Sequence, residues 1–358
     1  MRRAALQSSL GACKYYVGPN RPVLHSAIAA IGDATQGTIR RAKAEVHAYT
    51  PQRSSMSTES NAFVGAGRST AASGSLVYEG ERAVHEYLQF HFGRPDEVLP
   101  YECGPREALA FTKRCADLCI NAIGSSEAST EGKADGGGQT KAGTSRKQPL
   151  RAIDVGCAVG GVTLELTRGF HEVVGVDFSA SFVEAAENMR VEGRMEYQCL
   201  EQGSVVLRRE AVLPEGAVPS RARFARGDAC SLDVEALGSF DAVVASNLLC
   251  RLPKPRSFLD DLPALVKPGG VAVLVSPYSW LAEYTNPSEW LGGFREGESG
   301  NGQGQGEVVD SFETIRNAME TDGRFQLEER LPMPFLIREH ARKFQWGCSD
   351  GTVWRRLP

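Results

Sequence analysis

Residues 153–161 read Ile-Asp-Val-Gly-Cys-Ala-Val-Gly-Gly, an apolar run that enters a turn carrying Gly156, Gly160 and Gly161. Glycines at such a turn let backbone approach a ligand closely and adopt positive φ. A helix that starts there offers unpaired N–H groups. A second apolar run, Val173-Val174-Gly175-Val176, ends on Asp177, 21 residues after Gly156. In a doubly wound α/β fold, an acid at that offset accepts hydrogen bonds from ribose hydroxyls. The two runs together predict a nucleoside cradle. The loop alone does not choose the cofactor, because Gly156-x-Ala158-x-x-Gly161 also passes as a relaxed dinucleotide fingerprint.

The elements that must carry this cradle alternate in type. The pattern predicts strands at Arg151–Val155, Glu172–Asp177, Arg223–Arg226, Phe240–Ser246 and Gly270–Ser276. Helices are predicted at Val162–Arg168, Ala180–Glu192 and Arg256–Val266, with residues 200–220 a charged excursion. Strands separated by helices imply right-handed crossovers and a mainly parallel sheet. Ser311–Met319 reads as a further helix. Phe325–Leu331 and Phe335–Lys343 read as strands of a terminal antiparallel hairpin joined by Pro332-Met333-Pro334. The expected fold is α/β, a Rossmann-like seven-stranded sheet with helices on both faces.

Upstream, residues 1–75 lack sustained periodicity and read as a leader that is disordered or transit-like, or a gene-model extension before Met56. They carry nine basic and three acidic residues, although the whole chain has a net charge of −4. The remaining domain, 76–358, opens with an N-terminal helical lid over 76–123. It contains a helix at Glu81–Phe92 and a second that starts near Pro105. The Gly/Ser-rich stretch 124–149 is expected to be a flexible insertion, residues 150–358 to be the Rossmann-like core, and 298–306 to be a further glycine-rich loop. The acidic balance argues against a nucleic-acid partner. No apolar run reaches the ~20 residues of a membrane span. Nine cysteines without a CxxC pair or a Cys/His quartet argue against zinc and for reduced thiols in a cytoplasmic setting, with organelle import through the leader as the other option.

Three features favour S-adenosylmethionine (SAM) over a nicotinamide cofactor. Asp154 lies two residues before the first glycine, Gly227-Asp228-Ala229 follows the third strand, and Lys267-Pro268-Gly269-Gly270 precedes the fifth. Over residues 150–276 this set resembles class I SAM-dependent methyltransferases, with Ala158 in place of a middle glycine as a departure. The resemblance implies that Asp154 lies near the methionine end and Asp228 at the adenine amino group. It also implies that Gly156, Cys157, Ala158, Gly160, Asp177, Phe178, Ala229 and Asn247 line the cofactor site, with S-adenosylhomocysteine (SAH) as product.

A longer set of words resembles the C-terminal methyltransferase domain of ovothiol biosynthesis enzymes. The words are Tyr87-Leu88-Gln89-Phe90-His91-Phe92-Gly93, Asp154–Gly160, Val176–Ala180, Gly227–Cys230, Ser276-Pro277-Tyr278-Ser279-Trp280-Leu281, Trp290–Gly293, Ile337–Gln345 and Thr352-Val353-Trp354. This resemblance implies methyl transfer to an imidazole nitrogen of 5-thiohistidine (4-mercaptohistidine). It also implies a separate sulfoxide synthase as functional partner, since no His-rich iron motif stands among the six histidines.

Such a transfer needs alignment and exclusion of water more than a strong base. Asn247, after the fourth strand, is the candidate for orienting the acceptor, with Tyr278 beside it as a second catalytic candidate. Tyr101, Tyr278, Trp280 and Glu283 are candidates for walling the acceptor, with Trp290 and Phe92 nearby. Arg338, Arg342 and Lys343 are candidates for its carboxylate, and His340 reads as structural. Two other readings stand beside this one: methylation of a different small metabolite, and a catalytically silent SAM-binding partner of a sulfur-inserting enzyme.

Overall fold

The computed structural model describes residues 77–131, 149–295 and 307–358. The leader 1–75, residues 132–148 and the loop 298–306 lie outside the described residues. The chain enters through helix α1 (Glu81–Phe92), a single turn α2 (Pro95–Val98) and the long helix α3 (Phe111–Glu131). The Pro105 segment makes only a short turn at Arg106–Ala108, so the second long helix starts at Phe111. It also runs on past residue 123, into the stretch expected to be an insertion.

The core then follows the expected alternation. Strand β1 (Arg151–Val155) leads to α4 (Gly161–Leu166), and β2 (Glu172–Asp177) leads to α5 (Ala180–Glu192). Ser179 caps α5 by accepting from the Phe182 N–H, and Gly193 closes it at φ +73°. The charged excursion is an antiparallel hairpin, β3 (Arg194–Gln202) and β4 (Val205–Val212), forming a sheet of its own. Tyr197, Cys199 and Ala211 point inward from it and are fully buried. Next come β5 (Ala222–Arg226), α6 (Val234–Leu237), β6 (Phe240–Ser246), α7 (Pro255–Leu265) and β7 (Val266–Ser276). A small pair, β8 (Gly293–Arg295) and β9 (Glu307–Val309), precedes α8 (Ser311–Glu320).

The chain closes with two long strands, β10 (Phe325–His340) and β11 (Lys343–Arg356). The antiparallel hairpin expected at the end is present, but its turn lies at Ala341-Arg342. Pro332 and Pro334 sit inside β10 instead of forming the turn. β10 is the edge of the main sheet, where proline is tolerated because its missing N–H faces no partner. Two prolines spaced by two residues present that side together, while Met333 between them is buried.

The seven-stranded sheet runs β10-β11-β7-β6-β1-β2-β5, parallel except where β11 meets β7 and β10. Successive residues of each inner strand serve opposite faces. Ile153, Val174, Val243 and Leu274 pack against α7 and α8, while Ala152, Val173, Val244 and Val273 pack against α3 and α4. The strand order reverses between β1 and β6, and in such sheets ligands gather outside the carboxyl ends at that point. Because β11 is antiparallel, with Asp350 opposite Ser276, its early residues and the end of β10 reach the same carboxyl edge. Among the described residues, no helix is long and apolar enough to cross a membrane.

The edge-strand account has a direct test. Pro332→Val should leave stability within about 1 kcal/mol in chemical denaturation, as expected for an exposed edge position. A larger loss would mean that the proline shapes the chain there.

Candidate functional site

The turn after β1 is tied to the end of β2. The Gly156 and Cys157 N–H groups donate to the Val176 carbonyl at 2.7 and 3.0 Å, and the Ala158 N–H donates to Asp177 Oδ2 at 2.8 Å. The Ser179 N–H takes the other Asp177 oxygen at 2.9 Å. One carboxylate therefore fixes both the glycine turn and the start of α5. Gly156 has φ +78°, and a Cβ on it would stand 2.7 Å from the Leu248 side chain. Gly160, at φ +86°, caps α4 and has no room for a Cβ beside the Phe224 ring. Ala158, in place of a glycine, still adopts φ +46°. The hydrogen bond from its N–H to Asp177 helps hold that conformation, which costs on the order of 1 kcal/mol or more without glycine.

Over this turn lies a cavity of about 720 Å³. Gly156, Ala158, Asp177, Phe178, Asp228, Ala229 and Asn247 line it, so seven of the expected cofactor residues meet there. Asp228 makes an Asx turn, accepting from the Cys230 N–H at 2.8 Å, and still borders the cavity. Gly160 and Cys157 support the turn from behind and do not line it. Asp154 also stands behind the turn. It is fully buried, accepts from Thr163 Oγ1 at 2.7 Å and has no partner for Oδ1. Burial, with Asp177 nearby, pushes its pKa up to about 7. Burial raises Asp177 itself to about 6, against the N–H donors that favour its charge.

Asn247 leaves β6 with φ +53°, and its Oδ1 accepts from Ser349 Oγ at 2.7 Å. With the oxygen so engaged, the amide turns its N–H donors to other partners. Tyr278 is also in the left-handed region, at φ +52°. Its ring packs against the core, its hydroxyl donates to Asp350 at 3.0 Å, and it does not line the cavity. Its place is therefore to hold Asp350, next to the Ser349 that orients Asn247.

The other expected acceptor residues are committed elsewhere. Trp280 donates from Nε1 to Ser311 Oγ, and Tyr101 donates to the Ala341 carbonyl at 2.7 Å. Glu283 is exposed and away from the cavity. Arg338 is 4% exposed, ion-paired with Glu201, and donates to the Glu97 carbonyl and Cys199 Sγ. Arg342 lies 5.9 Å from the Tyr101 ring centroid, and Lys343 pairs with Glu339. None of these three cations lines the cavity, so the expectation that they bind a carboxylate in it is corrected. Arg338 and Lys343 sit on strands, and Arg342 in the turn between them, all directed toward other partners. Phe92 is buried in the core beneath α1, and Trp290 donates to the Thr285 carbonyl.

Further walls come from residues that the sequence did not single out as site candidates. From α1 come Tyr87, Phe90 and His91, and from the hairpin β10–β11 come Phe335, Ile337, Gln345 and Trp346. Phe90, Phe111 and Phe335 form an aromatic cluster, with ring centroids 5.6 to 6.4 Å apart. Nδ1 of His91 accepts from the Gly161 N–H at 3.1 Å, so the ring completes the start of α4. Burial drives the His91 pKa down to about 3, which leaves the ring neutral with its proton on Nε2. The available signal was the face Tyr87–Phe90–His91 on a helix otherwise read only as a lid. Arg251, a charge set within Leu248-Leu249-Cys250-Arg251-Leu252, carried a second signal.

Residues 153–274 match the model of a methyltransferase domain. No curated protein matches the sequence. Among solved structures, a SAM-dependent methyltransferase from Methanosarcina mazei is 20% identical, with a TM-score of 0.38, over 59% of this chain and 94% of that one. Magnesium protoporphyrin IX methyltransferase from Synechocystis, with SAH bound, is 14% identical, with a TM-score of 0.35, over 72% and 90%. The cyclase SpnF is 15% identical, with a TM-score of 0.43, over 80% and 97%. Likeness at this level leaves the chemistry to be argued from the chain's own residues.

The match over residues 153–274 is to a methyltransferase domain, for which SAM is the methyl donor implied. The chain's residues fit that donor. Gly156 runs along the cavity at φ +78°, and Asp177 stands at a β-strand end facing it; Asp154, expected at the methionine end, is buried behind the turn and does not line the cavity.

The raised pKa of Asp154 predicts a pH signature. The folded state holds the Asp154 proton more tightly than the unfolded chain does. Its contribution to stability is therefore present at low pH and is lost as pH rises from the ordinary carboxylate range through about 7. Asp154→Asn should thus gain stability relative to the parent protein as pH rises from about 4 to 8, followed by urea denaturation. A pH-independent difference would contradict the buried, uncompensated carboxylate.

Proposed function

We propose that this methyltransferase is an N-methyltransferase that acts on an imidazole nitrogen of 5-thiohistidine. One observation carries the reading. The words that resemble the ovothiol methyltransferase domain lie far apart in the chain, yet most of them send residues to the same cavity. Tyr87, Phe90 and His91 come from the first word, Asp177 and Phe178 from the third, Asp228 from the fourth, Pro277 and Ser279 from the fifth, and Ile337 and Gln345 from a late one.

Bound in the cradle, SAM would supply an electrophilic sulfonium methyl for the acceptor nitrogen, with the electron pair of the broken carbon–sulfur bond left on sulfur. The chain's own residues then have three tasks. Asp177 and the Gly156–Ala158 turn hold the nucleoside end. Phe90, Phe111, Phe335 and Trp346 present flat apolar walls that suit an imidazole and keep water out. Asn247, its oxygen held by Ser349, offers N–H groups to orient the acceptor near the donor. A thiolate on the acceptor ring offsets the charge that arrives at the ring nitrogen, so no strong base is needed. His91, held neutral by burial, does not compete for that charge. The acceptor's sulfur is supplied by a separate sulfur-inserting enzyme in this reading.

The assay is incubation with SAM and 5-thio-L-histidine, with L-histidine as control, read by mass spectrometry. The expected product is 5-thiohistidine carrying one added methyl group, together with SAH. Methylation of another acceptor with thiohistidine left untouched would overturn the proposal.

A further inference from the structure

The cavity is lined by three carboxylates, Glu86, Asp177 and Asp228, and among the described residues by a single lysine or arginine, Arg251. Glu86 is already paired with Arg82 at 2.8 Å. Arg251 has no carboxylate of the described residues within ion-pair distance. Its Nη1 donates instead to two backbone carbonyls, Cys250 and Ser279, each at 3.1 Å. Its guanidinium carbon lies 4.8 Å from the Tyr284 ring centroid. Tyr284 in turn hydrogen-bonds Tyr78 at 3.4 Å, and the two rings stack. The cation is thus fixed by neutral partners in a half-buried aromatic setting, with its charge uncompensated. Partial burial of a guanidinium in this way is costly unless an anion arrives. Arginine's planar fork is suited to meet a carboxylate with two parallel hydrogen bonds.

We propose that Arg251 anchors a carboxylate in this cavity. The inference rests on the reading of SAM as donor, and its acceptor arm rests on the thiohistidine reading above. Two ligands carry the required group: the amino-acid tail of the donor, and an amino-acid acceptor. The three basic residues of the β10–β11 hairpin named for this task do not line the cavity, so Arg251 is the cation positioned for it.

The test compares the parent protein with Arg251→Gln. Affinities are measured by calorimetry for SAH and for 5′-methylthioadenosine, which keeps the adenosine and sulfur but lacks the amino-acid carboxylate. If Arg251 holds the donor's carboxylate, SAH affinity falls about ten- to a hundredfold while methylthioadenosine binding is unchanged. If it holds the acceptor's carboxylate, both nucleosides bind as before. The KM for 5-thio-L-histidine then rises by a similar factor with kcat nearly preserved. Equal weakening of both nucleosides, or no change in any of the three quantities, overturns the proposal. A parent enzyme that leaves thiohistidine unmethylated would sink the acceptor assigned above. The SAH comparison would then decide the Arg251 proposal alone, with unchanged affinity counting against it. Should Arg251→Gln fail to fold, Arg251→Lys serves. It keeps the charge without the fork and should show a smaller loss in the same quantity, SAH affinity or thiohistidine KM, and equal weakening of both nucleosides or no change in any of the three overturns the proposal too.

Discussion

The Asp177 carboxylate joins two strand ends that the sheet alone would only bring near each other. One oxygen takes the Ala158 N–H from the turn after β1, and the other takes the Ser179 N–H that starts α5. Because that turn is pinned, Gly156 can run close beneath a ligand and Gly160 can open α4. Because the carboxylate is buried, it resists ionising and its pKa is raised to about 6. A ligand hydroxyl that donates to it adds a further hydrogen bond to the charged form and relieves that cost. The turn is thus held by a buried carboxylate whose charge is only partly compensated, a trait of sites that select a ligand.

Around this fixed point the other walls are assembled from distant parts of the chain. Helix α1 lays Tyr87, Phe90 and His91 over the turn, and His91 completes the Gly161 N–H. The antiparallel ending of the sheet turns β10 and β11 back to the carboxyl edge, where Phe335 and Trp346 complete the aromatic side. Ser349 and Asp350 on β11 reach Asn247 and Tyr278, and both of the latter residues have positive φ. Strained backbone at two adjacent strand ends, each held by a β11 side chain, couples the hairpin to the geometry of the site.

The central strands were legible because they are short, apolar on both faces and punctuated by glycine. β1, β2, β6 and α5 fall where the sequence pattern puts them, and Gly156, Asp177, Asp228 and Asn247 border one cavity. The hairpin β3–β4 was obscured by Arg208, Arg209 and Glu210, whose charges mask the inward alternation of Tyr197, Cys199 and Ala211. Pro332-Met333-Pro334 has the composition of a turn, and only its place at a sheet edge explains why it is extended. The acceptor side was least legible. Tyr278 and Trp280 carry the right chemistry next to a strand end, but whether a ring points into a cavity or into the core depends on the tertiary fold. Arg338 illustrates the same limit, since its guanidinium is consumed by Glu201 and Cys199, partners from the hairpin that the pattern did not reveal.

The central claim is that the turn at Gly156–Ala158 and the Asp177 carboxylate form a cradle for SAM and not for a nicotinamide dinucleotide. Calorimetric titration of the parent protein and of Asp177→Ala with SAH and with NAD tests it most directly. The account predicts that SAH binds the parent, that NAD does not, and that the substitution weakens SAH by about 1–3 kcal/mol through loss of a charge-assisted partner. Binding of NAD without SAH, or SAH affinity untouched in a folded Asp177→Ala protein, would contradict it.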